Sequence, residues 1–323
     1  MAESKSDQTI KLLEPVPEDL LTSWLNEFYG KVVDISERTV LRHRDFSYVE
    51  RIRFNEALPE SLIYKLVLPP WDIEQDLHER VLVPSISNSA QLYMSAHYGS
   101  TTAMFMEDLG TCYMKESADR ESCQKFAKNL ARMHRAYSYR IEEIVEANIL
   151  RHLSGEKLQD FGYSLARKLC ELESIDRATA GDLEKRMDLV ANRLGGETLT
   201  LVHGDLYAEN VVLRQTKQQL IDWSWFTSIG TALIDLATIT SDHEKNGVLR
   251  QFKEDFLESY CFESGSEKSQ IIELLPMALA LERFLFLSWL AERKSRGILG
   301  TTVGHVDDLA AQVIEQIRAS AKL

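Results

Sequence analysis

The stretch LVHGDLYAENVVLRQTKQQLIDWSWFTSIGTALIDLAT (201–238) holds the densest set of chemically useful side chains in the chain. A short apolar strand delivers His203, Gly204 and Asp205; Asn210 follows five residues after Asp205, and Asp222 lies twelve beyond that, at the end of another apolar strand. The spacing predicts three acceptor-bearing side chains at one edge of a sheet. Phosphoryl transfer from a nucleoside triphosphate needs such a set: a carboxylate to orient and deprotonate a hydroxyl, and an Asn plus a second carboxylate to hold magnesium against the phosphates.

Around this segment the organisation changes once, near residue 110. Before it, TVLRH (39–43), YVERIRF (48–54), SLIYKLVL (61–68), QLYMSAH (91–97) and TTAMFM (101–106) read as strands rich in β-branched and aromatic residues, with HYGS (97–100) as a hairpin turn. Two helices fit among them, from about Glu18 to Tyr29 and from Asp72 to Val83, before Pro84. After residue 110 the period is helical: Phe126, Leu130 and Met133 recur at i, i+4 and i+7. Leu183, Met187, Val190 and Leu194 share a face before Gly195-Gly196, and further helices are expected near 157–173, 247–262, 270–295 and 305–322. The run Thr198 to Ile221 is the exception, with TLTLVHG, NVVLRQ and QQLIDW as short strands around loops.

The 323 residues suit about two domains, and 44% apolar residues is ample for real cores. A formal charge of −13 argues against nucleic acid or an anionic membrane as the main partner, since both require clustered Lys and Arg. Residues 1–112 carry −8 of that charge. The acidity is therefore not concentrated in the half that holds 201–238, and it is no sign of a cationic ligand there. The four cysteines form no C-x-x-C pair and read as reduced thiols of a cytoplasmic protein. The first twenty residues lack the apolar core of a secretory signal. The densest apolar stretch, IIELLPMALALERFLFLSWLAERK, is interrupted by Glu273, Pro276, Glu282 and Arg283, so it reads as a buried helix and not a membrane span.

Taken together, HGDLYAEN, LIDW and GTALIDLAT resemble the aminoglycoside phosphotransferase and choline kinase superfamily of kinase-like enzymes. LARMHRA (130–136) is similar to the helix before that family's catalytic loop, and MFMEDLG (104–110) looks like its hinge. The resemblance implies a bilobal, protein-kinase-like α+β fold. A small antiparallel-sheet, nucleotide-binding lobe would span 1–108 and a mainly helical catalytic and acceptor-binding lobe 109–323, with the hinge at about 107–112. It further implies an ATP- or GTP-dependent phosphotransferase that uses Mg²⁺ and a small-molecule hydroxyl acceptor.

On the same resemblance, Asp205 is the catalytic base and Asn210 and Asp222 the metal ligands. Lys65, costly on propensity in mid-strand, would pair the nucleotide's α- and β-phosphates. Its acidic partner comes from the following helix, where Glu74 and Glu79 are both available and HERVLVP favours Glu79. Hinge backbone at Glu107, Asp108 and Leu109 would meet adenine. Asp235 and His203 would support the catalytic loop, although Asp235 also reads as a plain N-terminal cap. The sequence departs from the pattern in HRDFSYVER (43–51), the turn expected to cover the phosphates, which has no glycine; Ser47 is left to offer a hydroxyl and an amide.

Protein substrates are disfavoured. His203-Gly204-Asp205 lacks the arginine of His-Arg-Asp, Asp222 precedes Trp223 in place of Phe-Gly, and only thirteen residues separate Asp222 from Asp235. Three readings follow from the resemblance: an aminoglycoside-phosphotransferase-like enzyme, a metabolite kinase of the choline, ethanolamine or amino-sugar type, and a nucleotide-binding module without turnover. Trp223, Trp225, Phe284, Phe286 and Trp289 would suit choline as an aromatic cage, but at helical spacing they read first as core.

Overall fold

The alternation in the strand Ser61–Val67 organises the first third of the molecule. Leu62, Tyr64 and Leu66 are fully buried on one face, while Ile63, Lys65 and Val67 point to the other, as the two-residue period of a strand demands. The computed structural model describes residues 12–55, 59–214, 217–298 and 305–321. The first eleven residues of the stretch expected to lack a secretory signal, and residue 322 of the last expected helix, lie outside the described residues.

Five antiparallel strands, β1 (Ile35–His43), β2 (Ser47–Phe54), β3 (Ser61–Val67), β4 (Leu92–Tyr98) and β5 (Thr101–Glu107), pair in the order β1-β2-β3-β5-β4. Lys65 therefore sits on the central strand, opposite Val49 and Met104. Helix α1 (Glu18–Tyr29) lays its buried Leu21 and Leu25 on the Leu62/Tyr64/Leu66 face, leaving the Lys65 face to line a cleft. Helix α2 (Ile73–Arg80) follows β3 and ends earlier than expected. The amides of Val81 and Leu82 both turn back to the Leu77 carbonyl, and Pro84 starts a separate helical turn over Pro84–Ser87.

Beyond the sheet the chain is mainly helical. The helix Arg120–Ser138 begins at a capping box, with Asp119 accepting from the Ser122 amide at 2.7 Å, and buries Phe126, Leu130, Met133 and Tyr137. The helix Lys268–Ser295 runs through the centre of the same core and keeps going through Pro276. Helices Gly155–Glu171, Arg177–Leu194 and Val306–Ser320 match the expected positions. The helix expected from 247 starts only at Lys253, because Gly247 (φ 47°, ψ −126°) breaks the run. Ser228–Thr231, which is not among the expected strands, is a buried strand between Arg151–His152 and Leu199–Val202. Among the described residues no helix is long and apolar enough to cross a membrane. All four cysteines are free thiols.

Candidate active site

Three short elements place the side chains from 201–238 together. Leu199–Val202 ends at His203, the 3₁₀ turn Ala208–Asn210 leads into Val211–Arg214, and Lys217–Leu220 pairs with that strand and delivers Asp222. The loop between is held internally. The Asp205 carbonyl accepts from the Tyr207 amide (3.0 Å) and from Asn210 Nδ2 (2.8 Å), which also reaches the Asp205 carboxylate at 3.3 Å.

Gly204 is required by its surroundings. Its φ is +79°, and a Cβ there would lie 2.2 Å from the Phe226 carbonyl oxygen. The replacement of His-Arg-Asp by His-Gly-Asp is thus a packing necessity at this loop. Asp235 binds the same loop from below, accepting from the His203 amide (3.0 Å) and the Gly204 amide (2.8 Å) and contacting His134 Nε2 at 3.2 Å. It lies inside the helix Leu233–Ile239 and does not cap it, so the cap reading is corrected. His203 is fully buried, bonded through Nε2 to the Ile221 carbonyl (2.9 Å) and packed on Trp223.

Lys65 reaches across the cleft to Asp222 Oδ1 at 2.6 Å and pairs with Glu74 on its other side. The expected partner Glu79 is instead exposed at the far side of α2, bonded to Gln75 and Ser95. The helical phase explains the correction. Leu77 marks the inward face of α2; Glu74, three residues away, shares that face, whereas Glu79, two residues away, points outward. Burial alone would discharge Lys65, but Asp222 and Glu74 hold it cationic. Burial would likewise raise Asp222, yet Lys65 and Arg42, whose Nη1 lies 3.0 Å from Oδ2, keep it well below the usual carboxylate range. Asp222 takes a left-handed backbone conformation (φ 63°), which Asp tolerates better than most residues.

The cleft has two compartments. One, of about 180 Å³, is walled by apolar Val49, Ile63, Ala90, Met106, Val212 and Ile221, with Lys65 and Asp222 at its inner end. Its edge is the segment 107–110. The Glu107 amide already donates to the Gln91 carbonyl (2.8 Å), and the Asp108 carboxylate is held by Arg51, Ser61 and the Gly110 amide. Of the expected hinge groups, the Asp108 and Leu109 amides are left without a partner among the described residues.

The second compartment, of about 220 Å³, opens from Asp205 toward Trp225, Phe286 and Trp289. Sequence reasoning missed several of its residues. The β1–β2 turn is tighter than HRDFSYVER suggests, with the Arg44 amide on the Ser47 carbonyl at 2.8 Å, and it sends Arg42 and Arg44 into the cleft beside buried Ser47. Lys245 comes from the 3₁₀ segment Glu244–Phe252 and lies 3.9 Å from Asp205 and 3.2 Å from Glu209, over the Tyr207 ring. Its neighbour Asn246, fully buried, accepts from the Ala208 amide and donates to the Thr238 carbonyl, bracing the loop. Glu282 and Arg283 pair at 2.8 Å on the central helix, and burial pushes Glu282 up to about 7 against the opposing pull of Arg283. The glycine-free turn was the only visible signal for the two arginines. Burial raises Asp205 above the ordinary aspartate range, with Lys245 pulling the other way.

A family model described as the phosphotransferase enzyme family matches residues 103–270, more than half of the chain. The chain belongs to that family. The match begins in β5 and includes the whole of 201–238, the segment that forms the site. Phosphotransferase structures share the fold. A spectinomycin phosphotransferase in complex with ADP and spectinomycin is 14% identical, with 96% of this chain and 100% of that one covered at a TM-score of 0.59. An ethanolamine kinase from Plasmodium vivax is 13% identical, with 88% and 82% covered at 0.61. A choline kinase from Cryptosporidium parvum is 12% identical, with 95% and 96% covered at 0.61. At these identities the likeness shows the kinase-like fold, as the sequence predicts: an antiparallel sheet followed by a mostly helical part. No curated protein matches the sequence.

Proposed function

We propose that this phosphotransferase moves the γ-phosphoryl group of ATP to a hydroxyl of a small molecule, with Asp205 as base. The observation that carries the reading is that the paired Lys65 and Asp222 line both compartments, while Asp205, held by Asn210 Nδ2, lines the second beside them. The apolar compartment suits a purine, with the free Leu109 amide as a donor to its edge. The division into a nucleotide lobe over 1–108 and a catalytic and acceptor lobe over 109–323, hinged at 107–112, belongs to the same proposal.

The donor set suits Mg²⁺: the Asp222 carboxylate and the Asn210 side-chain carbonyl are hard oxygens, and Asp205 and Glu209 add negative charge nearby. Among the described residues no three His, Cys, Asp or Glu side chains form a site of their own. That accords with an ion that shares its shell with phosphates and water. Bound there by Asn210 and Asp222, the ion would neutralise charge on the phosphates.

The chain's own residues do the rest. Lys65 fixes the phosphates of the donor, and Ser47 and Arg42 lie where the turn meets them. Asp205 accepts the proton of the acceptor hydroxyl while that oxygen bonds to the γ-phosphorus and the bond from phosphorus to the bridging oxygen breaks, leaving ADP. Lys245, beside Asp205, faces the group in transfer and offsets its charge. Asp235 and His203 hold the loop in register. Every catalytic group is present, which favours turnover over a silent binding module.

Magnesium-dependent ATP consumption across hydroxylated small molecules tests this, with Lys65→Met beside the wild type. Lys65→Met should weaken ATP binding or turnover by about 100-fold or more, the scale of a lost charge-stabilising group. Wild-type ATP binding and turnover in that variant would contradict the proposed nucleotide site.

A further inference from the structure

The acceptor compartment is cationic although the whole chain is not. It is lined by five Lys and Arg side chains against three carboxylates. The carboxylates are committed: Asp222 to Lys65 and Arg42, Glu282 to Arg283, and Asp205 to Asn210 with Lys245 near it. Arg44 is not. Half-buried, and facing the acceptor compartment without lining the nucleotide one, its guanidinium has no hydrogen-bond or ion-pair partner among the described residues.

The aromatic lining does not reverse this. Phe226, Phe286 and Trp289 form a continuous panel, with Phe286 and Trp289 stacked at 5.5 Å. Trp289 and Trp225, the tryptophans that would attract a quaternary ammonium best, already carry the protein's own guanidinium groups. Arg293 lies 4.8 Å from the Trp289 centroid and 5.0 Å from Phe46, and Arg151 lies 5.1 Å from Trp225. Trp223 and Phe284, the other members of the possible cage, are fully buried core. A cationic acceptor would enter beside the unpaired guanidinium of Arg44. The volume of about 220 Å³ is also below the roughly 300–1,000 Å³ of sites for drug-sized ligands, which favours a single-ring molecule.

Resting on the phosphotransferase reading above, we propose that the acceptor is a small anionic hydroxy compound: a flat apolar body against Phe226, Phe286 and Trp289, with a carboxylate or similar anion on Arg44. An aminoglycoside or choline is then the wrong charge for this site. Arg44 supplies the free donor pair, and a planar guanidinium matches a carboxylate in two parallel hydrogen bonds. Arg283, already paired with Glu282, adds positive potential without being the anchor.

Two para-substituted benzyl alcohols of opposite charge test the proposal: 4-(hydroxymethyl)benzoate and 4-(hydroxymethyl)benzyltrimethylammonium. Each is titrated calorimetrically into the full chain with magnesium and a non-hydrolysable ATP analogue. The nucleotide is titrated first; its failure to bind would sink the phosphotransferase reading itself. With nucleotide bound, the benzoate should bind at least about tenfold tighter than the ammonium, the discrimination of one charged hydrogen bond. Arg44→Gln should abolish that preference while leaving nucleotide affinity in place. Equal or tighter binding of the ammonium, no saturable binding of the benzoate, or a preference that survives in Arg44→Gln would each overturn the inference. Loss of nucleotide affinity in Arg44→Gln would do the same, by giving Arg44 to the phosphates.

Discussion

Asp205 has to be ionised to accept a proton, and its environment pulls in two directions. Burial raises it above the ordinary aspartate range, and the Lys245 ammonium lowers it. Activity that depends on the carboxylate is lost as pH falls through its pKa, so the acid limb of kcat/KM should lie above the usual aspartate value. Lys245→Met removes the charge that favours the ionised form, and the limb should move to still higher pH. A limb that stays in place in a pH profile of the residual activity would remove Lys245 from the site. At this scale the sequence was legible where the candidate site is built from neighbours in the chain. Asp205 and Asn210 sit in one loop, and Asp222 follows the next hairpin. Glu74 could have been found from the phase of α2 relative to Leu77; Lys245 and Asn246 could not, because only tertiary packing brings the segment 244–252 under the loop.

Between elements, the glycine-free turn is explained by what holds it. Asp45 at its tip pairs with Arg293 near the end of the helix Lys268–Ser295, 248 residues away, and Arg293 is fully buried between Phe46 and Trp289. A turn latched to the helical half closes the second compartment from above, and in the proposed nucleotide site Arg42, which lines both compartments, takes the place of flexible glycine backbone at the phosphates. Arg293→Met leaves Asp45 without its partner and should cost about 3 kcal/mol, the lower end for breaking a buried ion pair. Urea denaturation measures this; an unchanged midpoint would mean that the latch contributes nothing. No local pattern predicts such a pair. The strands and long helices were legible because burial repeats every two or every 3.6 residues along them. The breaks at Gly247 and after Arg80, and the buried strand Ser228–Thr231, were not, since four residues are too few to show a period and this strand is defined by its two neighbours.

For the whole molecule, the charge of −13 is a poor guide to the site, whose second compartment is lined by more Lys and Arg than Asp and Glu. Global charge governs long-range encounter, whereas recognition depends on the few groups left unpaired inside the cleft. The larger architecture was more legible. A sheet rich in β-branched residues followed by amphipathic helices leaves one exposed sheet face, and the segment 201–238 supplies the groups that face it. The central claim is that this cleft transfers a phosphoryl group with Asp205 as the base, and the direct measurement is Asp205→Asn compared with wild type in one assay of transfer and nucleotide affinity. Transfer should fall by about 10²–10⁴-fold, the range for a lost general base, while the affinity for magnesium–ATP stays within about threefold, less than one charged hydrogen bond. Wild-type transfer by Asp205→Asn would contradict the claim.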